Sequence, residues 1–507
     1  MGTSGAFGAV PNAAVQPLAS PVYALAARNP DAVLNTLRYL FFHTRCGVLA
    51  SIRGGRVVTF VPFANAEYVN HYGHRLKLTT RDLSVSDYVA EKARALKRQP
   101  EALLPDTATW WFNGGIMCNV MPQNVWGDEY VAAIRDMLDE TCVRHVVPDV
   151  DFFINKRDYP QLRADGREPY AEFIGDAPLD REAYSAYVPV FSFYTGTDMA
   201  DVPMPTTEDW GVATGKCFPP GSIAPSTVAG SDTAPSTSRR LEYRAVFRGA
   251  ATGRGVTADT NIRLRIAEMG QRRPDLLDAG VTAYNTRDKV VQCAPGCDAD
   301  IVVDFLTPGA VGPRVPYMSM DEQCARFRYV LYADGHCAAS RYGTLMSLAG
   351  VILRVESTSP RTCGVLWLFS DLISGVIDGD AVAVPDGADH FLIHADLSNL
   401  ECTIEYLRKH DEVADRTVAS ARLRAPTVKS ITEYWLGALT AVHLLTATKP
   451  TTVCSSVPSD DVHRVWFTPY ESKYARLRAA RSSSAGSTAG TAAGTAAGTN
   501  VFSCIGI

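Results

Sequence analysis

The sequence predicts an α/β protein built in two parts, and three observations carry that expectation. Residues 128–143 place Tyr130, Ile134, Met137 and Leu138 on one helical face and run into the β-branched and aromatic stretch Val150–Ile154, fenced by Pro148 and Pro160. A helix feeding a buried strand belongs to a layered α/β arrangement rather than to an all-β one. In the second half, the succession strand, small-residue turn, helix occurs twice, at 241–269 and at 327–349, which suggests a doubly wound parallel sheet. The length of 507 residues exceeds what a single hydrophobic core usually serves.

The elements follow in order. Residues 34–63 alternate helix-like and strand-like runs, LNTLRYLFFH, GVLASI and RVVTFVPF, and Gly54-Gly55 between the last two predicts a β-hairpin. Residues 82–96 read as a helix, and Trp110, Trp111, Phe112 and Trp126 crowd around Gly114-Gly115, as core aromatics do. A second strand is expected at 187–195, ending in the turn Gly196-Thr197-Asp198. Residues 218–240 are rich in Pro, Ser, Thr, Ala and Gly and read as a linker or insertion.

Beyond that segment, 241–247 is a strand, 248–261 a glycine-rich turn and 262–269 a helix. Residues 327–333 form a strand, Asp334-Gly335 a turn, 341–349 a helix and Val351–Val355 another strand. Helices at 397–408, 413–424 and 432–446 complete the pattern, and the tail 481–507 is of low complexity. The division is therefore 1–217, a linker or insertion at 218–240, 241–480 and a tail at 481–507.

Composition narrows the function classes. Forty-nine basic residues against 54 acidic ones give a net charge of −5, and no Lys/Arg run stands out, which argues against a nucleic-acid partner. The apolar run 436–447 is too short for a membrane span, which needs about 20 residues. No signal-peptide pattern opens the chain, no Asn-x-Ser/Thr sequon occurs, and the 12 cysteines are scattered. Those features point to a reducing, intracellular compartment. Only Cys293 and Cys297 stand close together, and no second pair completes a metal site, so no metal is expected.

Two kinds of segment can carry chemistry. The strand 150–154 delivers Asp158 to a sheet edge, where reactive carboxylates are often placed; Asp149 and Asp151 are equal candidates on the residues alone, and a turn-forming role suits Asp158 as well. In the second half, FRGAATGRG (247–255) and YADGHCAASRY (332–342) each empty a strand into small residues accompanied by an arginine. Glycines let backbone N–H groups approach a phosphate, and arginine supplies a planar fork of donors, so the two turns together suit a diphosphate. His336 is open to a structural or a ligand role.

INKRDYPQ, PVFSFYTGTDMADVPMPTTEDW, the FRG turn followed by Arg263, RRPDLLDAGVT, FRYVLYADGHCAASRYGTLMSLAGVIL and DLSNL occur in this order over residues 148–423. That succession resembles glycosyltransferase family 90, the protein O-glucosyl/O-xylosyltransferase and capsule-associated transferase family. The segments SIRGGRVVTFVPF and WWFNGGIMCN look like those of intracellular members encoded by large DNA viruses.

The resemblance implies a GT-B type fold, with two Rossmann-like domains facing across a cleft. It implies an inverting enzyme that moves glucose or xylose from a UDP-sugar to a hydroxyl of a protein or glycan, with no metal or other cofactor. Carried over position by position, the catalytic aspartate falls on Asp158. The donor-binding positions fall on Arg248, Gly249 and Ala250 of the FRG turn, on Arg263, and on the loop His336, Cys337, Ala338, Ala339, Ser340 and Arg341. Ala250 stands where characterised relatives can carry Ser. A non-catalytic binding or structural protein on the same fold is the alternative, and a nucleotide-sugar hydrolase or phosphorylase a third.

Overall fold

The computed structural model describes residues 12–23, 46–64, 128–156, 160–164, 187–216, 241–253, 255–284, 289–291, 302–304, 313–357 and 364–446, with Ala32, Thr36, Tyr39 and Leu40 as single positions. Asp158, the helix expected at 82–96, the aromatic cluster at 110–126, the 218–240 segment, the close cysteines and the tail lie outside the described residues.

The first sheet follows a short helix, α1 (Asn12–Leu18). The expected hairpin is present as β1 (Cys46–Arg53) and β2 (Arg56–Ala64), paired antiparallel with Arg53 opposite Arg56. Its turn needs two left-handed residues, and Gly54 and Gly55 supply them at φ 54° and 72°. Helix α2 (Asp128–Arg144) then leads into β3 (Val150–Ile154), as the pattern predicts, and Ile134, Met137 and Leu138 are buried. Strands β4 (Val190–Ser192) and β5 (Val202–Pro203) complete the order β2-β1-β3-β4-β5, parallel from β3 onward. β4 is shorter than the expected 187–195 strand. Pro189 has no N–H for a ladder, and past Phe193 the chain turns to pair Thr195 with Val365 of the second half. Helix α3 (Thr207–Thr214) opens on a capping box between Thr206 and Asp209.

Among the described residues the second sheet holds seven strands. β6 (Glu242–Ala250) is followed by α4 (Ile262–Arg272) and β7 (Leu277–Ala283); β8 (Lys289–Val291) and β9 (Val302–Asp304) form a separate pair. Helix α5 (Met320–Arg326), β10 (Phe327–Tyr332), α6 (Tyr342–Ser347) and β11 (Val351–Val355) come next. They are followed by β12 (Ser374–Asp378), β13 (Ala381–Ala383) and β14 (His390–Ile393). Helices α7 (Leu400–Lys409), α8 (Asp411–Arg424) and α9 (Val428–Thr446) end the described chain.

The sheet order is β13-β12-β14-β11-β10-β6-β7, parallel throughout except for β13 at one edge. One expectation is corrected here. The FRG residues, read as part of a turn, lie within β6, because Arg248 and Gly249 continue the parallel ladder opposite Gly280 and Val281. The later strands β12 to β14 were not foreseen, since they are short and interrupted by Gly375, Gly379 and Gly387.

Strands buried on both faces distribute their side chains alternately. Tyr329 and Leu331 of β10 enter one cluster with Phe247, Ile266, Leu353, Phe391 and Ile404, under α4 and α7. Val330 and Tyr332 face the other way, into a cluster that continues through Tyr342, Leu345, Trp367 and Trp210 to Phe152, Phe191 and Trp435 around the first sheet. The last helix, α9, belongs by packing to that first sheet: Trp435 stacks at 4.9 Å from Phe191 and 6.3 Å from Phe152, ring centre to ring centre. Among the described residues no helix is long and apolar enough to cross a membrane.

Asp209 fastens α3 to the second half. Its Oδ2 accepts from Thr206 N at 3.0 Å and from Trp367 Nε1 at 2.8 Å, and a Cβ at Gly343 of α6 would sit 2.0 Å from its Oδ1. Burial pushes this carboxyl up to about 6. Asp209→Ala removes the Asp209 half of the capping box and strands a buried indole N–H, so it is expected to lower unfolding free energy by about 2–3 kcal/mol in a urea titration. A loss under about 1 kcal/mol would show that the junction does not depend on this carboxylate.

At the amino ends of β12 and β14, His390 Nδ1 lies 2.6 Å from Asp389 Oδ1 and its Nε2 lies 2.8 Å from Ser374 Oγ. The alignment is that of a hydrolytic triad. Its setting is structural: His390 is fully buried, Ser374 and His390 are ladder partners, and Asp389 also accepts from Ile373 N.

Candidate active site

The strand order puts the chemistry in one place. β6 and β10 are neighbours, yet from β6 the chain moves outward to β7 and from β10 it moves the opposite way to β11. Their carboxyl-end turns, 251–261 and 333–341, therefore diverge from one point, the topological switch point at which open α/β sheets bind ligands. Both small-residue turns singled out from the sequence meet there.

Arg263 stands in the first turn of α4, whose N-cap Asn261 accepts from Arg263 N at 3.0 Å. Gly253 approaches this cap at φ 132°, where a Cβ would lie 2.8–2.9 Å from the Asn261 side chain. The Arg263 guanidinium donates to three carbonyl oxygens: Ala250 O at 3.1 Å, Ala333 O at 3.1 Å and Asp334 O at 2.9 Å. It thus sews the ends of β6 and β10 together. Burial, with Arg341 nearby, lowers its pKa to about 9. Gly335 keeps the approach open, since a Cβ there would meet Arg263 Nη2 at 3.2 Å and Thr252 Oγ1 at 2.6 Å.

Arg341 differs from Arg263 in what it leaves unspent. Its Nη1 donates to Arg248 O at 2.8 Å, and its guanidinium carbon stands 5.3 Å from the centre of the Phe247 ring. Its Nε and Nη2 are buried and have no hydrogen-bond partner among the described residues. Burial lowers its pKa. A buried guanidinium with unused donors is poised for an anion, because desolvation makes each unmade bond costly and each made one strong.

The other predicted donor positions divide. Arg248 contributes its carbonyl to Arg341 but directs its side chain to β7, where Nη2 meets Asp278 Oδ1 at 2.6 Å and Nη1 meets Asp278 O at 2.8 Å. Gly249 lies under the Phe247 ring, and Ala250 offers its carbonyl to Arg263. In the 336–341 loop, His336 is half-buried while Cys337 and Ala338 are buried, and Cys337 O accepts from Gly335 N at 2.8 Å. The Tyr332 hydroxyl sets the curve of the loop, accepting from Ala339 N at 2.8 Å and donating to Ala339 O at 3.0 Å. Ser340 Oγ reaches across to Glu208 Oε1 of α3 at 2.9 Å, tying the loop to the first half.

One site residue was read only as a turn former. Asp334 ends β10 at the switch point, buried, with its carboxyl pushed up to about 6 by burial against the pull of Arg354 and Arg263. The signal was available: an acid directly after FRYVLYA, a run too apolar to release a carboxylate into solvent.

The first sheet presents its own carboxyl edge to this region. Thr195, past β4, pairs with Val365, and the neighbouring Gly364 abuts the Asp334 carboxylate, where a Cβ would lie 2.8 Å from Oδ2. Past β3 the described chain reaches buried Asn155 and Lys156 and resumes at Pro160; Asp158 lies between them, outside the described residues.

Residues 130–359 match the family model described as Glycosyl transferase family 90. Three viral proteins, each described as uncharacterized, are similar to the chain. Protein 035R of Invertebrate iridescent virus 3 is 30% identical over 394 residues, covering 74% of this chain and 33% of that protein. Protein 179R of Invertebrate iridescent virus 6 is 29% identical over 432 residues, covering 76% and 34%. Protein 027R of Frog virus 3 (isolate Goorha) is 29% identical over 435 residues, covering 82% and 42%. The chain thus spans a third to two fifths of the length of these relatives. A crystal structure of TarM aligns at 15% identity with a TM-score of 0.24 over 40% of this chain and 36% of that one, a likeness too slight to carry an argument. Over residues 130–359, and in keeping with the ordered motifs, the chain is similar to glycosyl transferase family 90.

Proposed function

We propose that the chain is an inverting glycosyltransferase that takes a sugar, glucose or xylose, from a UDP-sugar and passes it to a hydroxyl of a protein or glycan. The observation that carries this reading is Arg341, whose buried Nε and Nη2, without a hydrogen-bond partner among the described residues, sit at the switch point of the second sheet. A GT-B arrangement, with the two carboxyl edges on either side of the substrates, accords with the Thr195–Val365 pairing and the Ser340–Glu208 contact.

In this reading the UDP diphosphate lies against Arg341, within the positive field of Arg263, over the Gly249–Ala250 end of β6. The Asp158 carboxylate takes the proton of the acceptor hydroxyl as its oxygen bonds to the anomeric carbon. The bond from that carbon to the diphosphate oxygen breaks, and its electron pair leaves with UDP. Attack from the face opposite the leaving group inverts the centre. Charge growing on UDP is met by fixed donors already desolvated, which is where such donors are most effective. On this reading the arginines take the part that a metal plays elsewhere.

A panel of UDP-sugars tests the proposal, with calorimetry for binding and UDP release into water for turnover. UDP-glucose or UDP-xylose is expected to bind and to hydrolyse slowly. Absence of binding by every member of the panel would sink the reading.

A further inference from the structure

Five acidic side chains are buried among the described residues: Asp151, Asp201, Asp209, Asp334 and Asp389. Four of them are spent on the fold. Asp151 accepts from Ser51 Oγ and Arg53, Asp201 from Ser192 Oγ and the N–H groups of Gln161 and Leu162, and Asp389 from Ile373 N, with the His390 ring beside it. Asp209 holds its two donors on Oδ2, and Gly343 packs against the Oδ1 that has none.

Asp334 is the exception. Its Oδ1 is buried and has no hydrogen-bond partner among the described residues. The neighbours that hold the carboxyl lie at the other oxygen: a Cβ on Gly364 would stand 2.8 Å from Oδ2 and 3.1 Å from the Oγ of Ser357, whose side chain hydrogen-bonds to this carboxyl. Two arginines are near, and neither spends a donor on it. Arg263 gives its guanidinium to three main-chain carbonyls, and Arg354 lies 3.9 Å over the Phe369 ring. Their charges oppose the upward push of burial, which leaves the carboxyl at about 6, so near neutral pH it is an acceptor. A desolvated acceptor left unbonded weakens the fold, and a ligand that brings the missing donor recovers the bond at full strength.

Its position selects the ligand. Asp334 ends β10 at the switch point, its own carbonyl takes Arg263 Nε, and the turn it begins runs on to Arg341. The carboxylate thus stands beside the arginines that face the diphosphate in the UDP-sugar reading. A further anion would be repelled there, whereas a group that hangs from the diphosphate and carries O–H donors satisfies arginines and carboxylate together.

We propose that Asp334 is a specificity-determining residue whose Oδ1 accepts a hydroxyl of the sugar that the donor carries. The proposal rests on the reading of the chain as a UDP-sugar enzyme. The same carboxylate is badly placed as a base, because it lies on the side of the leaving diphosphate and inversion brings the acceptor in from the opposite face. A bond to a charged group in a site without water discriminates strongly against a sugar that lacks the hydroxyl.

The test is calorimetry on the 507-residue chain, wild type, Asp334→Asn and Asp334→Leu, with UDP, UDP-glucose, UDP-xylose and the 2-, 3- and 4-deoxy analogues of UDP-glucose. Asparagine keeps an acceptor and loses the charge; leucine fills a similar space and accepts nothing. UDP is expected to bind both variants at least as tightly as the wild type, which also reports that the site is folded. UDP-glucose is expected to bind about tenfold more weakly to Asp334→Asn and about a hundredfold more weakly to Asp334→Leu. One member of the sugar series, the one without the hydroxyl that Asp334 reads, should bind the wild type about a hundredfold less well than UDP-glucose and lose nothing further in Asp334→Leu.

Equal weakening of UDP and UDP-glucose would overturn the proposal, since UDP carries ribose hydroxyls but no transferred sugar. Undiminished UDP-glucose binding in both variants would do the same, as would a sugar series in which every loss adds to that of the variant. Failure of the underlying reading shows differently: UDP and all the UDP-sugars then leave the wild-type chain itself unbound, and the sugar contact falls with it.

Discussion

Replacing Arg341 with methionine is expected to weaken UDP-sugar binding by at least a hundredfold while leaving the unliganded protein no less stable than the wild type. The two effects share a cause. Among the described residues the Arg341 guanidinium has one hydrogen bond, to Arg248 O, and two buried donors without a partner, beside the second positive charge of Arg263. Holding such a cation out of water costs several kcal/mol, and a methionine of similar reach over the Phe247 ring escapes that cost at the loss of a bond worth about 1 kcal/mol. With the donor bound, the same N–H groups would make charge-assisted bonds worth about 1.5–3 kcal/mol each, and their removal accounts for the expected drop. Calorimetry with UDP-glucose and a thermal melt measure both. Undiminished affinity would dismiss Arg341 as the diphosphate ligand, and a steep fall in melting temperature would show that it serves the fold.

Asp158→Asn is expected to lower the rate of UDP release to water by about a hundred- to ten-thousandfold while donor affinity holds. Asparagine matches aspartate in shape but cannot accept the proton, so the loss falls on kcat and not on binding. That split also separates an enzyme from a protein that keeps the fold only to bind a nucleotide sugar, in which Asp158 would be a turn residue and its change would move stability alone. Unaltered turnover in the variant would send the search for a base to another carboxylate.

Much of this was legible in the amino acids where local rules act alone. Gly54-Gly55 announced the hairpin, the helical face ending at Leu138 announced the approach to β3, and the apolar run 327–332 announced a central strand. Arg263 and Arg341 were legible as companions of small-residue turns. Their division of labour was not, because it depends on which carbonyls the folded chain brings within 3.1 Å of each guanidinium. Arg248 looked equivalent to both and is spent on Asp278, a partner 30 positions away that only the parallel pairing of β6 and β7 supplies. The burial of Asp334 was signalled by the apolar run before it, but the groups it meets were hidden for the same reason. An isolated acid in an apolar run reads as a turn or an edge until its long-range donors are known.

The packing of α9 bears on how the chain is made. Phe152 and Phe191 emerge from the ribosome well before the indole that seals them, since Trp435 follows Phe191 by more than 240 residues. The first sheet therefore cannot finish its core on the ribosome while the second is being translated. It must wait, partly open, until the strands of the second half have been produced and the chain has come back. A stop codon placed after residue 427 would then strike hardest at the sheet made earlier, leaving the later sheet nearly whole and the earlier one uncovered.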